Sequence, residues 1–225
     1  MKKGWKSLAA LGMTGVLVAA APAGLRHMSF FQVRRVELIG VRYLAPDSVL
    51  AVLALRPDQN VFEDGDEIAR RAEALGGVVS ARVSRKLPGT LRVTVIEKIP
   101  VAFAPGPNQM VALDGDAKPL PYDPAATGLD LPVIQKVDSL LVRTLSVLRL
   151  TDSALFQDVD AARRLGRGGV TLMLGERRVL LPGIPAPDDV RALAAVRRHL
   201  ASTGRRFTEI DTRFEGWFVV RRSST

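Results

Sequence analysis

Val78-Val79-Ser80-Ala81-Arg82-Val83-Ser84-Arg85-Lys86-Leu87-Pro88-Gly89-Thr90-Leu91-Arg92-Val93-Thr94-Val95-Ile96-Glu97 decides the fold of the first half of the chain. Two β-rich, largely alternating runs, 78–86 and 91–97, flank a Leu-Pro-Gly-Thr segment with turn chemistry, so the stretch is read as a hairpin. Upstream, Val33-Arg34-Arg35-Val36-Glu37-Leu38-Ile39-Gly40 alternates apolar and polar residues and stops at glycine, which reads as a strand. Ala45-Pro46-Asp47-Ser48 then opens a short helix carrying Val49, Leu50, Val52 and Leu53, with proline in the first turn where its missing N–H costs nothing. Asp64 stands three residues before Glu67, as in a capping box, and Ile68, Ala72 and Leu75 follow at helical spacing until Gly76-Gly77. Residues from about 33 to 98 therefore read β-α-α-β-β.

From Val101 the pattern changes to short strands broken by Gly and Pro, at 101–104 and 110–113, followed by a proline-rich passage over 119–132. A helix is expected over about 139–150. Strands are expected over 158–165, 170–174 and 178–181, joined by tight turns at Gly166-Arg167-Gly168-Gly169 and Gly175-Glu176. A second amphipathic helix, about 188–202, turns Val190, Leu193, Ala194 and Leu200 to one face. The last two strands are placed at 207–214 and 217–221. The fold class is α+β: an N-terminal transmembrane helix, a β-α-α-β-β domain, and a mainly antiparallel β domain with flanking helices.

The first 25 residues have a different character. Met-Lys-Lys-Gly-Trp-Lys precedes an apolar run from Leu8 to Leu25 that contains no charged residue. Eighteen helical residues extend roughly 27 Å, close to the hydrocarbon thickness of a bilayer. Three lysines before the run favour a cytoplasmic N-terminus, and Trp5 sits where an interfacial aromatic belongs. The expected division is a cytoplasmic head at 1–7, a membrane span at 8–25, and everything beyond outside the cytoplasm. Ala19-Ala20-Ala21 also supplies the small residues of a signal-peptide cleavage site, so the run reads as an anchor or as a cleaved leader.

Composition removes several functional classes. There is no cysteine, hence no disulfide framework, thiolate metal site or cysteine nucleophile. The two histidines, His27 and His199, are not spaced as metal ligands, and no Gly-x-Ser-x-Gly elbow exists for His199 to serve. Gly166-Arg167-Gly168-Gly169 lacks the Lys-Ser/Thr ending and following helix of a phosphate loop. Asp64, Asp66 and Glu67 are explained by helix capping, and Asp114 and Asp116 by a turn. Neither catalysis, a cofactor nor a metal is expected. The formal charge is +9, but without Lys2, Lys3 and Lys6 it is 29 basic against 23 acidic residues, spread as scattered arginine pairs. With aromatics at only 5%, that distribution does not make a nucleic-acid face. Anionic lipid head groups near Arg26, Arg34 and Arg35 are the milder electrostatic option.

The run from Val78 to Glu97, continued by Lys98-Ile99-Pro100-Val101-Ala102, resembles a POTRA domain, specifically that of the FtsQ/DivIB family of bacterial division proteins. Leu55-Arg56-Pro57-Asp58-Gln59-Asn60-Val61-Phe62 adds to the likeness. Val111-Ala112-Leu113-Asp114-Gly115-Asp116-Ala117 resembles the “L-x-D-x-x-G” start of the family's second domain, and Glu209-Ile210-Asp211-Thr212-Arg213-Phe214 its “I-D-L-R-Y” strand. The resemblance implies a POTRA domain at 29–99 and an FtsQ-type β domain at 100–225. It further implies a non-enzymatic divisome scaffold in the inner membrane at the septum, binding FtsB-like and FtsL-like bitopic proteins by strand addition at its last strand. Other division proteins are implied as partners of the POTRA domain. The partner-binding residues carried over are Arg213 and Phe214, with Trp217, Phe218 and Val219 on the terminal strand and Arg164, or its neighbour Arg163, facing the partner. Because Phe214, Trp217 and Val219 alternate, part of this set is expected to face the core. The turn Glu215-Gly216 is shorter than the family's usual loop. The rival reading is a POTRA-containing transport or secretion component that binds extended peptides, although the chain has no room for a barrel.

Overall fold

The computed structural model describes residues 29–222. The apolar run at 8–25 lies outside the described residues, and no helix among those described is long and apolar enough to cross a membrane. The chain divides into two compact units between Glu97 and Lys98.

The first unit begins with a 3-10 turn, Ser29–Phe31, and contains β1 (Arg35–Ile39), α1 (Pro46–Leu53), α2 (Gly65–Glu73), β2 (Val78–Lys86) and β3 (Thr90–Glu97). This is the β-α-α-β-β order read from the sequence. The sheet order is β1-β3-β2, so β1 lies parallel to β3 and the hairpin β2-β3 is antiparallel. Leu91, Val93 and Val95 of β3 turn inward and meet Val49 and Leu53 of α1 and Ile68 and Ala72 of α2 in a buried core. Each Val or Leu so buried contributes about 1.5–3 kcal/mol relative to exposure. Asp64 caps α2 by accepting from the N–H groups of Asp66 and Glu67 at 3.0 and 3.3 Å. The expected capping box forms only in half: the Glu67 carboxylate goes to Arg70 and Arg71, not back to Asp64.

Two devices close this unit. Glu97, buried at the end of β3, accepts three successive backbone N–H groups, from Arg42, Tyr43 and Leu44, at 3.0, 2.9 and 2.9 Å. A carboxylate so placed satisfies donors of the β1–α1 loop that no ladder reaches. Gly40 ends β1 at φ +83°, where a Cβ would stand 2.1 Å from the Val95 carbonyl oxygen. Only glycine fits that conformation and that approach.

The second unit holds β4 (Ala102–Pro105), β5 (Met110–Leu113), β6 (Pro119–Leu120), α3 (Pro124–Thr127), β7 (Val133–Ile134), α4 (Ser139–Thr151), α5 (Ser153–Gln157), β8 (Ala161–Leu165), β9 (Gly169–Leu174), β10 (Arg177–Leu181), α6 (Pro187–Ser202), β11 (Glu209–Phe214) and β12 (Trp217–Arg221). The strands form one sheet in the order β12-β11-β10-β9-β8-β7-β4-β5-β6. Most pairs are antiparallel, as expected, but β7 joins β4 and β8 in parallel, and β10 joins β11 in parallel through the crossover helix α6. The meander β8-β9-β10 is present as read.

Two boundaries differ from the sequence reading. Asp152 ends α4 and at once caps α5 through Leu155 N–H at 2.9 Å, so a helix precedes the strand that was expected from residue 158. Asp158 belongs to the close of that helix, and β8 begins at Ala161. Likewise β11 begins at Glu209, not at Phe207.

Candidate protein-binding face and strand edge

Register assigns every residue of the meander and of the last strands to one of two sheet faces. Ala162, Leu172, Val179, Ile210 and Val220 form one row of partners across β8 to β12. The first four are fully buried, and Val220 lies against Ala195, Val196 and His199 of α6, so this is the helix-covered face. The next row, Arg163, Thr171, Leu180, Asp211 and Val219, therefore lies on the opposite face, as does the row Ala161, Met173, Arg178, Glu209 and Arg221.

That opposite face carries the candidate residues. Glu209 and Asp211 are each only 3% exposed, although no helix among the described residues covers them. Arginines do so instead. Glu209 sits between its register partners, ion-paired to Arg178 on β10 and to Arg221 Nε at 3.1 Å on β12. Asp211 receives Arg213 Nε and Nη2 at 2.9 and 2.7 Å, and the Arg213 backbone N–H at 3.0 Å. The Arg213 guanidinium holds the Asp211 carboxyl below the usual carboxylate range against the opposing effect of burial, and the pairing raises the arginine in turn.

A β-bulge sets the direction of the aromatic residues. Asp211 pairs with Val219, yet Phe214 pairs with Trp217, so two residues of β11, Thr212 and Arg213, stand opposite Phe218 alone. The extra residue reverses the alternation. Phe214 leaves the face of Ile210 and joins Trp217 on the uncovered one. Phe214, Trp217 and Val219 are 54%, 75% and 42% exposed, so none of the three enters the core, contrary to the expectation that part of the set would. Phe218 is half-buried on the helix side.

Arg164 and Arg163 separate. Arg164 shares the helix-covered face with Ala162, and its Nε pairs with Asp138 at 2.8 Å, where Asp138 caps α4 through Leu140 and Leu141 N–H. That pairing holds Asp138 below its ordinary pKa. Arg163 lies on the uncovered face, in the row of Asp211 and Val219, exposed and, among the described residues, without an acidic partner. Sequence spacing could not assign these adjacent arginines to sheet faces; the ladder register does.

Strand edges offer unpaired backbone N–H and C=O groups, and these edges differ. β6 is two residues long and begins with proline, a poor template. In the first unit, β2 has its Ala81 N–H already taken by Glu73 at 2.9 Å, and β1 carries alternating charges at Arg35 and Glu37. β12 has five residues, no proline, and Trp217-Phe218-Val219-Val220 in succession. Among the described residues no group of His, Cys, Asp or Glu is placed to hold a metal ion.

A three-stranded β-α-α-β-β unit followed by a strand-rich second unit defines a POTRA-bearing protein, and the FtsQ-type POTRA domain family matches residues 31–98. Similar proteins are cell division protein FtsQ of Mycobacterium tuberculosis, 26% identical over 80% of this chain and 59% of the relative; of Syntrophotalea carbinolica, 32% identical over 68% and 55%; and of Myxococcus fulvus, 26% identical over 99% and 87%. Residues 31–98 belong to the FtsQ-type POTRA domain family, and over most of its length the chain is similar to FtsQ cell division proteins. It spans about three fifths of the length of the mycobacterial relatives.

Proposed function

We propose that the chain is a non-enzymatic division scaffold that receives an extended segment of an FtsB-like or FtsL-like bitopic protein as an added strand on β12. The observation that carries this reading is the open edge of β12, whose exposed Trp217 and Val219 share the uncovered face with Phe214 and Arg163. Main-chain hydrogen bonds to the edge would supply affinity, and the aromatic and arginine side chains would supply selection. An open, apolar, proline-free edge is otherwise an aggregation hazard, which a constant partner removes.

In the same proposal residues 8–25 anchor the chain in the cytoplasmic membrane with the N-terminus inside. Both folded units then stand outside the cytoplasm at the septum, with the POTRA unit open to other division proteins. Arg163, rather than Arg164, is the arginine offered to the partner. Phe218 contributes through its backbone more than its half-buried side chain.

The experiment is replacement of the chain in cells by Val219→Lys. A charge on the edge opposes strand addition, so septum formation should fail while the protein remains abundant and folded. Normal division by that variant would reject the β12 reading. An outer-membrane assembly defect on depletion, with septa intact, would favour the transport alternative.

A further inference from the structure

On the helix-covered side of the second unit, α5, α6, the β9–β10 turn and the α6–β11 loop enclose a groove of about 970 Å³. That volume is in the range of ligand and peptide pockets. Its floor is apolar, made by Leu155, Leu174, Leu200 and Phe207. Its rim is cationic. Arg197 and Arg198 are matched with Asp158 and Asp152, but among the described residues Arg205 and Arg206 have no acidic partner. Arg177 lies over the Phe207 ring, 5.3 Å from its centroid, and has no acid beside it among the described residues. Among the described residues, Glu176 is the one lining carboxylate outside these pairs. The Nε of Arg197 is buried and has no hydrogen-bond partner among the described residues.

The end of α6 explains a cation near its last carbonyls, but not guanidinium groups from three elements gathered above one apolar floor. Both strands at the groove, β9 and β10, are already paired on each side, so no edge is available there and recognition must use side chains. We propose that this groove docks a segment of a partner protein in which acidic and apolar side chains alternate. The apolar residues would cover Leu200 and Phe207, while the carboxylates meet Arg177, Arg205 and Arg206 in the fork geometry that guanidinium provides. The proposal does not depend on β12, which lies at the sheet edge and acts through its backbone.

The test uses the full chain in neutral detergent micelles and a fluorescein-labelled peptide of alternating Glu and Leu, read by anisotropy. The peptide should bind saturably, weaken with added salt, and lose at least about tenfold in affinity to the triple variant Arg177→Glu, Arg205→Glu, Arg206→Glu. The same variant should gain binding of a matched Lys-Leu peptide, which shows it folded. If it does not fold, the double variant Arg205→Ser, Arg206→Ser replaces it, with a smaller loss expected. Val219→Lys should leave binding of the acidic peptide unchanged, which separates this groove from the edge strand. Undiminished binding by the arginine variants would overturn the proposal. So would displacement of the peptide by millimolar inorganic phosphate, or groove-dependent binding of anionic phosphatidylglycerol vesicles with no peptide binding.

Discussion

Arg213 folds back on Asp211, two residues earlier in β11, with Nε at 2.9 Å and Nη2 at 2.7 Å from its two carboxylate oxygens. An arginine expected to reach a partner is thus already engaged within its own strand, where it neutralises a buried acid. Replacing it should first be a structural change. Arg213→Ala leaves the Asp211 carboxylate without its partner and should lower the stability of the second unit in denaturant titration. Arg213→Glu should be worse. A loss of partner binding by either variant therefore needs the stability measurement beside it.

The same pair fixes a pH dependence. The folded-state pKa of Asp211 lies below its unfolded value, so its contribution is fully present above the unfolded carboxylate range, about pH 4, and is lost as pH falls through the folded pKa. Asp138, lowered by Arg164, adds in the same direction. Stability should fall on acidification below about pH 4, and less steeply in Arg213→Ala.

Arg163 and Arg164 should behave oppositely. Arg164→Ala frees the Asp138 cap from its arginine and should cost up to about 1 kcal/mol of stability while leaving partner binding intact. Arg163→Glu, on an exposed side chain of the uncovered face, should stay within about 0.5 kcal/mol of the parent stability yet weaken binding. Thermal melts and partner titrations of the two variants check this together.

Glu97 should be the most sensitive polar position of the POTRA unit. Glu97→Ala leaves the N–H groups of Arg42, Tyr43 and Leu44 without their acceptor and should cost about 2–4 kcal/mol. Hydrogen exchange at these three amides should accelerate before that of the β2-β3 hairpin. Gly40→Ala acts on the same corner, forcing a Cβ against the Val95 carbonyl at positive φ, and should cost about 1–3 kcal/mol or more.

Local chemistry made the POTRA unit legible. Alternation in 78–86 and 91–97, the turn between them, Pro46 at the start of α1 and Asp64 before α2 each act within a few residues. What escaped reading was decided at longer range. The parallel placement of β1 on β3, and of β11 on β10, joins segments about fifty and thirty residues apart. Helix α5 was hidden because Asp152 serves two helices at once. Among the candidate partner-binding residues, the strands are legible in the sequence but not the direction of their side chains. Period-two alternation through Ile210, Thr212 and Phe214 points Phe214 inward, and one extra residue in the ladder points it out. Burial of Glu209 and Asp211 left no trace in the sequence either, since the arginines that cover them come from neighbouring strands and from the bulge.

Strand addition at β12 can be read directly by placing a photo-activatable side chain at Val219 of the full chain in dividing cells, with the same group at Pro119 on the opposite edge as control. The expected result is an adduct between position 219 and a small bitopic division protein, mapping to an extended segment of that partner, with none from position 119. No adduct from 219, or equal adducts from both edges, would contradict it.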